Sequence, residues 1–275
     1  MSAPSLWARF SDIDADSRPD ELLAHLDDLA GLAPMREAKR RATDALELEP
    51  GDRVLDVGCG TGVDIPDMLE RLRPTGHVTG IDVSSRAVEA AKERLAGISD
   101  VSLVVADVQS LPFPDRSFEA CRADRTLQHV PSLPDALAEM RRVLVPDGRL
   151  VVLETMAELQ APSACLQHPV ATSLGAVQQT REERRGWLAY MLPLLVSQAG
   201  YRIVRFDVDE RASHDFHEVD VAFRLRESIE RAIGAGAVTA ANAKEWLDEL
   251  GEAAAAEQVA VSLRSILLVA RLAED

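Results

Sequence analysis

The run Arg53-Val-Leu-Asp-Val-Gly-Cys-Gly-Thr-Gly62 constrains the fold of this chain more than any other stretch. Val54 to Val57 reads as a buried strand that stops at a glycine-rich turn. Gly58, Gly60 and Gly62 stand at alternate positions, where the lack of a side chain lets backbone come close to a ligand. Twenty residues past Gly62, Asp82 ends a second apolar run, Val78-Thr-Gly-Ile81. A carboxylate there can accept hydrogen bonds from both hydroxyls of a ribose. The two segments together point to a ligand that carries an adenosine.

The spacing narrows the ligand. A dinucleotide fingerprint asks for a third glycine at position 63, where this chain has Val63, and the loop supplies no cation for a pyrophosphate. Asp56 precedes the first glycine and Asp64 follows the last instead. Leu55-Asp-Val-Gly-Cys-Gly-Thr-Gly62 closely resembles motif I of the class I S-adenosylmethionine-dependent methyltransferases. Gly80-Ile-Asp82 resembles their ribose-binding second motif, and Ala106-Asp-Val108 with Leu111-Pro-Phe113 resembles the third, which flanks adenine. Phe118-Glu-Ala-Cys-Arg-Ala123 and Leu127-Gln-His-Val130 resemble the fourth strand and the segment after it. Leu144-Val-Pro-Asp-Gly-Arg-Leu150 resembles the lead into strand five. These motifs follow the family's order over residues 36 to 155.

The resemblance implies an α/β fold with a doubly wound, seven-stranded, mostly parallel sheet of Rossmann-like type, whose strands six and seven form an antiparallel hairpin. It implies S-adenosyl-L-methionine as cofactor, released as S-adenosyl-L-homocysteine. The chain resembles the branch that contains quinone C-methyltransferases and bacterial natural-product methyltransferases, so the expected partner is a small-molecule acceptor. By the same resemblance, Gly58, Gly60 and Gly62 approach the methionine and ribose portion of the donor. Asp56 holds the loop or meets the methionine amine, and Asp82 takes the ribose hydroxyls. Val83 packs on adenine, Asp107 meets its amino group and Val108 adds a backbone contact. Arg36 either pairs with the donor carboxylate or is a surface member of the basic run Arg36, Lys39, Arg40, Arg41. Of Asp124 and Arg125, one lines the donor pocket and the other makes a local ion pair.

Methyl transfer from a sulfonium is an in-line displacement in which positioning does most of the work. A base is needed only where the acceptor must lose a proton. His129, after strand four, is the candidate base, because imidazole titrates near neutrality; its other reading is a backbone hydrogen bond before Pro131. Glu154 ends strand five, where it either orients an acceptor hydroxyl or amine or stands as a solvated rim carboxylate. His214-x-x-His217 suggests a metal, but no third ligand stands at a recognisable spacing, so no metal is expected.

Composition narrows the partners. The net charge of -16, from 30 basic and 46 acidic residues, disfavours phosphate backbones and anionic membrane surfaces, so neither nucleic acid nor membrane is expected as partner. Cys59, Cys121 and Cys165 form no metal or disulfide pattern. No secretory leader or membrane-length apolar run is evident, which predicts a cytoplasmic protein. A homodimer is left open.

Residues 1–50 are expected to form an N-terminal helical lid, 51–155 the donor-binding core, 156–258 an acceptor-binding cap that includes the sixth strand, and 259–275 the final strand of the core sheet. Leu22, Leu23, Leu26 and Leu29 mark a first helix, with Asp20 as N-cap, and Pro34 opens a second through Leu46. Trp7 and Phe10 either cover a bound acceptor or pack on the body. Strands are expected at Arg53–Val57, His77–Ile81, Val101–Val105, Ala120–Arg122 and Arg149–Leu153, with helices near 64–73, 85–96 and 133–145. Ser132 and Asp135 read as a capping box. Residues 155–198 read as loop and helix broken at Pro162, Pro169 and Pro193. Tyr201–Phe206 and Val259–Leu272 read as strands six and seven, joined through helices near 217–233 and 239–256. Met156, Leu159, Trp187, Tyr190 and Met191 either suit a partly apolar acceptor or form plain core.

Three rivals stand beside the methyltransferase reading: a cyclase or isomerase that binds the donor without consuming its methyl group, a partner subunit of a methyltransferase complex, and a nicotinamide-dependent reductase. Intact Gly58, Gly60, Gly62, Asp82 and Asp107 disfavour the second, and Val63 disfavours the third.

Overall fold

The computed structural model describes residues 13–16 and 18–273, with the side chains of all of these but 175–187 and 189–190. Trp7 and Phe10 lie outside the described residues, as do the side chains of Trp187 and Tyr190. The described chain forms two compact units. One holds the residues up to Thr155 together with Trp187–Val208 and the chain from Ser265; the other holds Met156–Gly186 and Asp209–Arg264.

The first unit opens with helices α1 (Pro19–Gly31) and α2 (Ala33–Ala45). Then come β1 (Arg53–Val57), α3 (Ile65–Leu72), β2 (His77–Asp82), α4 (Ser85–Arg94), β3 (Val101–Val105) and β4 (Phe118–Asp124). A short 3-10 turn (Leu127–His129), α5 (Leu133–Val143) and β5 (Leu144–Gln160) follow. Seven strands form one sheet in the order β3-β2-β1-β4-β5-β7-β6, where β6 is Tyr201–Ser213 and β7 is Ala260–Leu272. β1 runs parallel to β2 and β4, β2 to β3, and β4 to β5. Ala273 N donates to Gly200 O before β6, and Ser262 Oγ donates to Glu210 further along it, so β6 and β7 run in opposite senses.

Central strands are apolar on both faces because helices cover both, as a parallel sheet requires. Leu55, Cys121, Leu150 and Leu268 bury one face against Leu137 and Met140 of α5. Val54, Ala120, Val151 and Leu267 bury the other against Ala38 and Ala42 of α2 and Met68 of α3. Ile65, Met68, Leu69 and Leu72 are the buried stripe of α3, spaced as one face of a helix demands. Strand order reverses between β1 and β4, and that reversal opens a crevice at their carboxyl ends.

Several local expectations are corrected. Pro19 occupies the first turn of α1, with Arg18 rather than Asp20 as N-cap, because proline there gives up only an N–H that has no helical partner anyway. Ser132 is the N-cap of α5, but its side chain makes no capping bond; its N–H donates to Gln109 Oε1 at 2.9 Å, displacing Asp135 from the capping box. Of the prolines expected to break residues 155–198, Pro162 and Pro169 do mark helix starts, as the N-cap of α6 (Ser163–Gln167) and the first residue of the 30-residue α7 (Pro169–Gln198), but Pro193 lies inside α7. The helix foreseen near 217–233 is two, α8 (Phe216–Phe223) and α9 (Leu225–Gly234), because Arg224 turns left-handed at φ +47°. Helix α10 (Ala240–Ala255) completes the second unit, where the fully buried Trp246 donates its indole N–H to Cys165 O at 2.9 Å.

Candidate functional site

The turn after β1 is shaped by its protein neighbours as much as by any ligand. Gly58, Gly60 and Gly62 have φ of +69°, +54° and +72°. A Cβ on Gly58 would lie 2.2 Å from Thr126 Oγ1, whereas one on Gly60 would meet nothing closer than Leu26 Cδ1 at 3.7 Å. Gly62 packs on α4, with Ala91 Cβ 3.2 Å from the same hypothetical atom. Thr126 Oγ1 lies 3.0 Å from both Val57 O and Asp124 O, so it ties the end of β1 to the turn after β4. Of the three glycines, only Gly60 has the open surroundings expected of a ligand-facing position.

Asp82, at the carboxyl end of β2, accepts from Gly60 N at 3.0 Å and from Ser84 N at 2.9 Å. Burial pushes its carboxyl above the ordinary carboxylate range, against the pull of those backbone donors. Two accepted bonds leave lone pairs for a diol. Val83 and Val105 close the ends of neighbouring strands with 62% and 51% of their surface exposed. They offer an apolar face beside that carboxylate. Asp107 is exposed and accepts from Gln109 N at 2.9 Å, whereas the Val108 side chain belongs to the core.

Asp56, Asp64 and Asp124 meet Lys39, Arg122 and Arg125 in one ion cluster. Arg122 Nη2 reaches Asp124 at 2.8 Å and Asp64 at 2.9 Å, and its Nη1 reaches Asp56 at 3.3 Å. Lys39 Nζ reaches Asp124 at 2.6 Å and also binds Asp64. Burial acts to raise Asp124 and Asp64, but Lys39 and Arg122 outweigh it, with Arg125 also acting on Asp124, and both stay below the ordinary range. Asp56 goes the other way. Its burial, opposed mainly by Arg122, lifts it to about 6.

That shift has a sign. A folded-state pKa above the unfolded one gives stability that is full below about pH 4 and lost as pH rises through 6. Two pK units correspond to at most ~3 kcal/mol. Between pH 4.5 and 7 the wild type should therefore lose stability relative to Asp56→Asn by up to about that amount in urea unfolding. Parallel pH curves for the two proteins would refute the assignment.

Arg36 is not in the cluster. Its guanidinium donates to Gly31 O at 2.8 Å on the exposed side of the helix pair, and Lys39, one turn on, is the member of the basic run that turns inward. Across the crevice, Glu154 is buried rather than solvated, and its Oε1 accepts from Leu127 N at 3.1 Å. It thereby holds the 3-10 turn whose last residue is half-buried His129, with His129 N donating to Thr126 O at 2.9 Å.

The N-terminal stretch contributes residues that local reading did not single out. Asp14 accepts from Ser85 N at 2.8 Å, from Arg86 N at 3.3 Å and from both serine hydroxyls, and so seats a carboxylate at the N-terminus of α4. Burial opposes its charge, but the donors from Ser84 and Ser85 prevail and hold it down at about 2. Asp27 on α1 accepts from Thr61 Oγ1 at 2.6 Å and binds Arg94, which also donates to Thr61 O at 3.1 Å. Bonds across 34 to 72 residues leave no short-range signature.

A strand-end carboxylate, exposed apolar residues beside it and a turn with one open glycine fit the ribose, adenine and aminoacyl parts of S-adenosylmethionine. The methyltransferase-domain family matches residues 48–191. The chain belongs to the S-adenosylmethionine-dependent methyltransferases. An uncharacterised 37.1 kDa protein in transposon TN4556 of Streptomyces fradiae is 35% identical to this methyltransferase over 235 residues, 84% of this chain and 67% of that one. Demethylmenaquinone methyltransferase of Staphylococcus aureus is 41% identical over 117 residues, 42% of this chain and 48% of that enzyme, so the match spans about half of the relative. The [4+2]-cyclase SpnF shares the fold, with a TM-score of 0.59, 22% identity and 100% of both chains covered. Among the described residues of the methyltransferase, no helix is long and apolar enough to cross a membrane.

Proposed function

We propose that this methyltransferase transfers the methyl group of S-adenosylmethionine to a small organic acceptor of secondary-metabolite or quinone type. The carrying observation is Asp82 at the end of β2, bonded to Gly60 N of the glycine turn at the strand-order reversal. The likeness to demethylmenaquinone methyltransferase over 117 residues supports the acceptor type.

The bound donor supplies an electrophilic methyl carbon on a sulfonium. Asp82 orients it through the ribose, Gly60 lines its aminoacyl side, and Gly58 and Gly62 keep that turn in place. Asp56 keeps the turn's approach through Arg122. Val83 lies against adenine, with Asp107 and the Val108 backbone at its polar edge. As the acceptor's lone pair closes on the methyl carbon, the carbon–sulfur pair returns to sulfur. His129 takes the acceptor's proton, and Glu154 fixes the turn that presents it.

The test is incubation with methyl-labelled donor and a small-molecule extract, read by mass spectrometry for label in low-mass products. A labelled product supports transfer and locates the methyl group on oxygen, nitrogen or carbon. Bound donor that stays intact while the extract's compounds are rearranged would favour the cyclase-like reading. With a labelled product in hand, His129→Ala should lower turnover by roughly 100-fold or more, the usual contribution of a general base, and leave donor affinity near wild type. Wild-type turnover in that variant would make His129 structural.

A further inference from the structure

The two edge strands of the sheet are built differently. β3, at one end, has five residues, and a short edge strand gives another chain little to pair with. β6, at the other end, has thirteen residues, Tyr201–Ser213, with neither proline nor lysine among them. Among the described residues β7 is its one strand neighbour, so the backbone N–H and C=O groups that point away from β7 have no strand to pair with.

The middle of that strand is apolar where it meets solvent. Val204, Phe206 and Val208 have 52%, 41% and 57% of their surface exposed and, at alternate positions, share one face. Between them in sequence, Arg205 and Asp207 bind each other, and Arg41 Nη2 lies 3.2 Å from Asp207. A row of exposed apolar side chains on an unpaired edge is the pattern that a further strand covers.

The order of these residues says which strand. Val204-Arg-Phe-Asp-Val208 reads the same from either end, except that the two charges exchange sign. About a two-fold axis through Phe206, an antiparallel second copy sets Val204 on Val208, Arg205 on Asp207 and Phe206 on itself. Moving the axis by one residue sets Arg205 against Arg205 or Asp207 against Asp207, which like-charge repulsion opposes. We propose that β6 pairs with β6 of a second copy about Phe206, so that one sheet continues through both chains. The exposed apolar strip of each copy then lies beside the other's, and each Arg205 gains a second carboxylate. None of these residues belongs to the crevice, so the pairing does not depend on the methyl acceptor.

Sedimentation velocity over the micromolar range reads the mass. Wild type should sediment as a dimer of the 29.9 kDa chain. Arg205→Asp sets acid on acid and Asp207→Arg sets base on base at both symmetry-related pairs, so each variant alone should dissociate at least about 10-fold more readily. Mixed in equal amounts, the two variants should pair again, because each then meets the opposite charge at both positions. Recovery on mixing is a result that misfolding of either variant cannot produce. Phe206→Glu, which sets two like charges on the axis and leaves Arg205, Asp207 and Arg41 as they are, should dissociate the dimer as well. Far-UV circular dichroism shows that each variant has folded. A monomeric wild type would overturn the proposal and leave the strip to another occupant. Dimers that survive Arg205→Asp or Phe206→Glu would place the interface elsewhere, and folded charge variants that stay apart on mixing would overturn the register.

Discussion

Gly58→Ala should destabilise the protein by about 3 kcal/mol, from roughly 1–2 for a left-handed alanine and roughly 1–3 for overpacking. The overpacking arises because the new Cβ would sit 2.2 Å from Thr126 Oγ1 and 2.5 Å from its Cγ2. Thr126 cannot withdraw freely, since its hydroxyl lies between the carbonyls of Val57 and Asp124. Gly60→Ala is the matched control. It carries the same positive φ, but its Cβ would be 3.7 Å from Leu26 Cδ1, so only the backbone part of the cost, roughly 1–2 kcal/mol, should appear. Urea unfolding of both variants decides the matter. Equal losses would show that contact with Thr126 is not what demands glycine at position 58.

The second large effect belongs to the donor. Asp82→Ala should lower S-adenosylhomocysteine affinity by about 100-fold or more, because two hydrogen bonds to a charged acceptor contribute roughly 1.5–3 kcal/mol each. The fold should survive with reduced stability, as Gly60 N and Ser84 N lose their acceptor. Asp107→Ala should cost far less, since Asp107 is exposed and already engaged by Gln109. Unchanged affinity in the Asp82 variant would remove the ribose assignment.

Much of this architecture is legible in the chain. The strand Arg53–Val57 and its turn are written locally, in an apolar run that ends at glycine, and so are β2 and β3. The charged interior is harder to read. Arg36 and Lys39 sit on neighbouring faces of one helix, and only the packing of Ala38 and Ala42 on the sheet decides that Lys39 turns toward Asp64 and Asp124. An inward-facing lysine beside a buried alanine stripe was the available signal. Arg122 was hidden inside what looked like an ordinary strand, because its three carboxylate partners come from three segments of the chain. Pro193 misleads in the opposite direction. Pro193 forfeits one helical hydrogen bond, yet Leu188, Leu192 and Val196 bury enough apolar surface on the sheet for the helix to run through it.

The clasp made by Asp14 has a consequence for biosynthesis. Its partners, Ser84 to Arg86, lie about 70 residues downstream, and those of Asp27 are Thr61 and Arg94. When this opening stretch leaves the ribosome, neither the N-terminus of α4 nor its last turn has yet been made. The first part of the described chain to be synthesised must wait for β2 and α4 before it can take its final position. An N-terminal stretch held in another conformation during that interval would leave the start of α4 without its carboxylate.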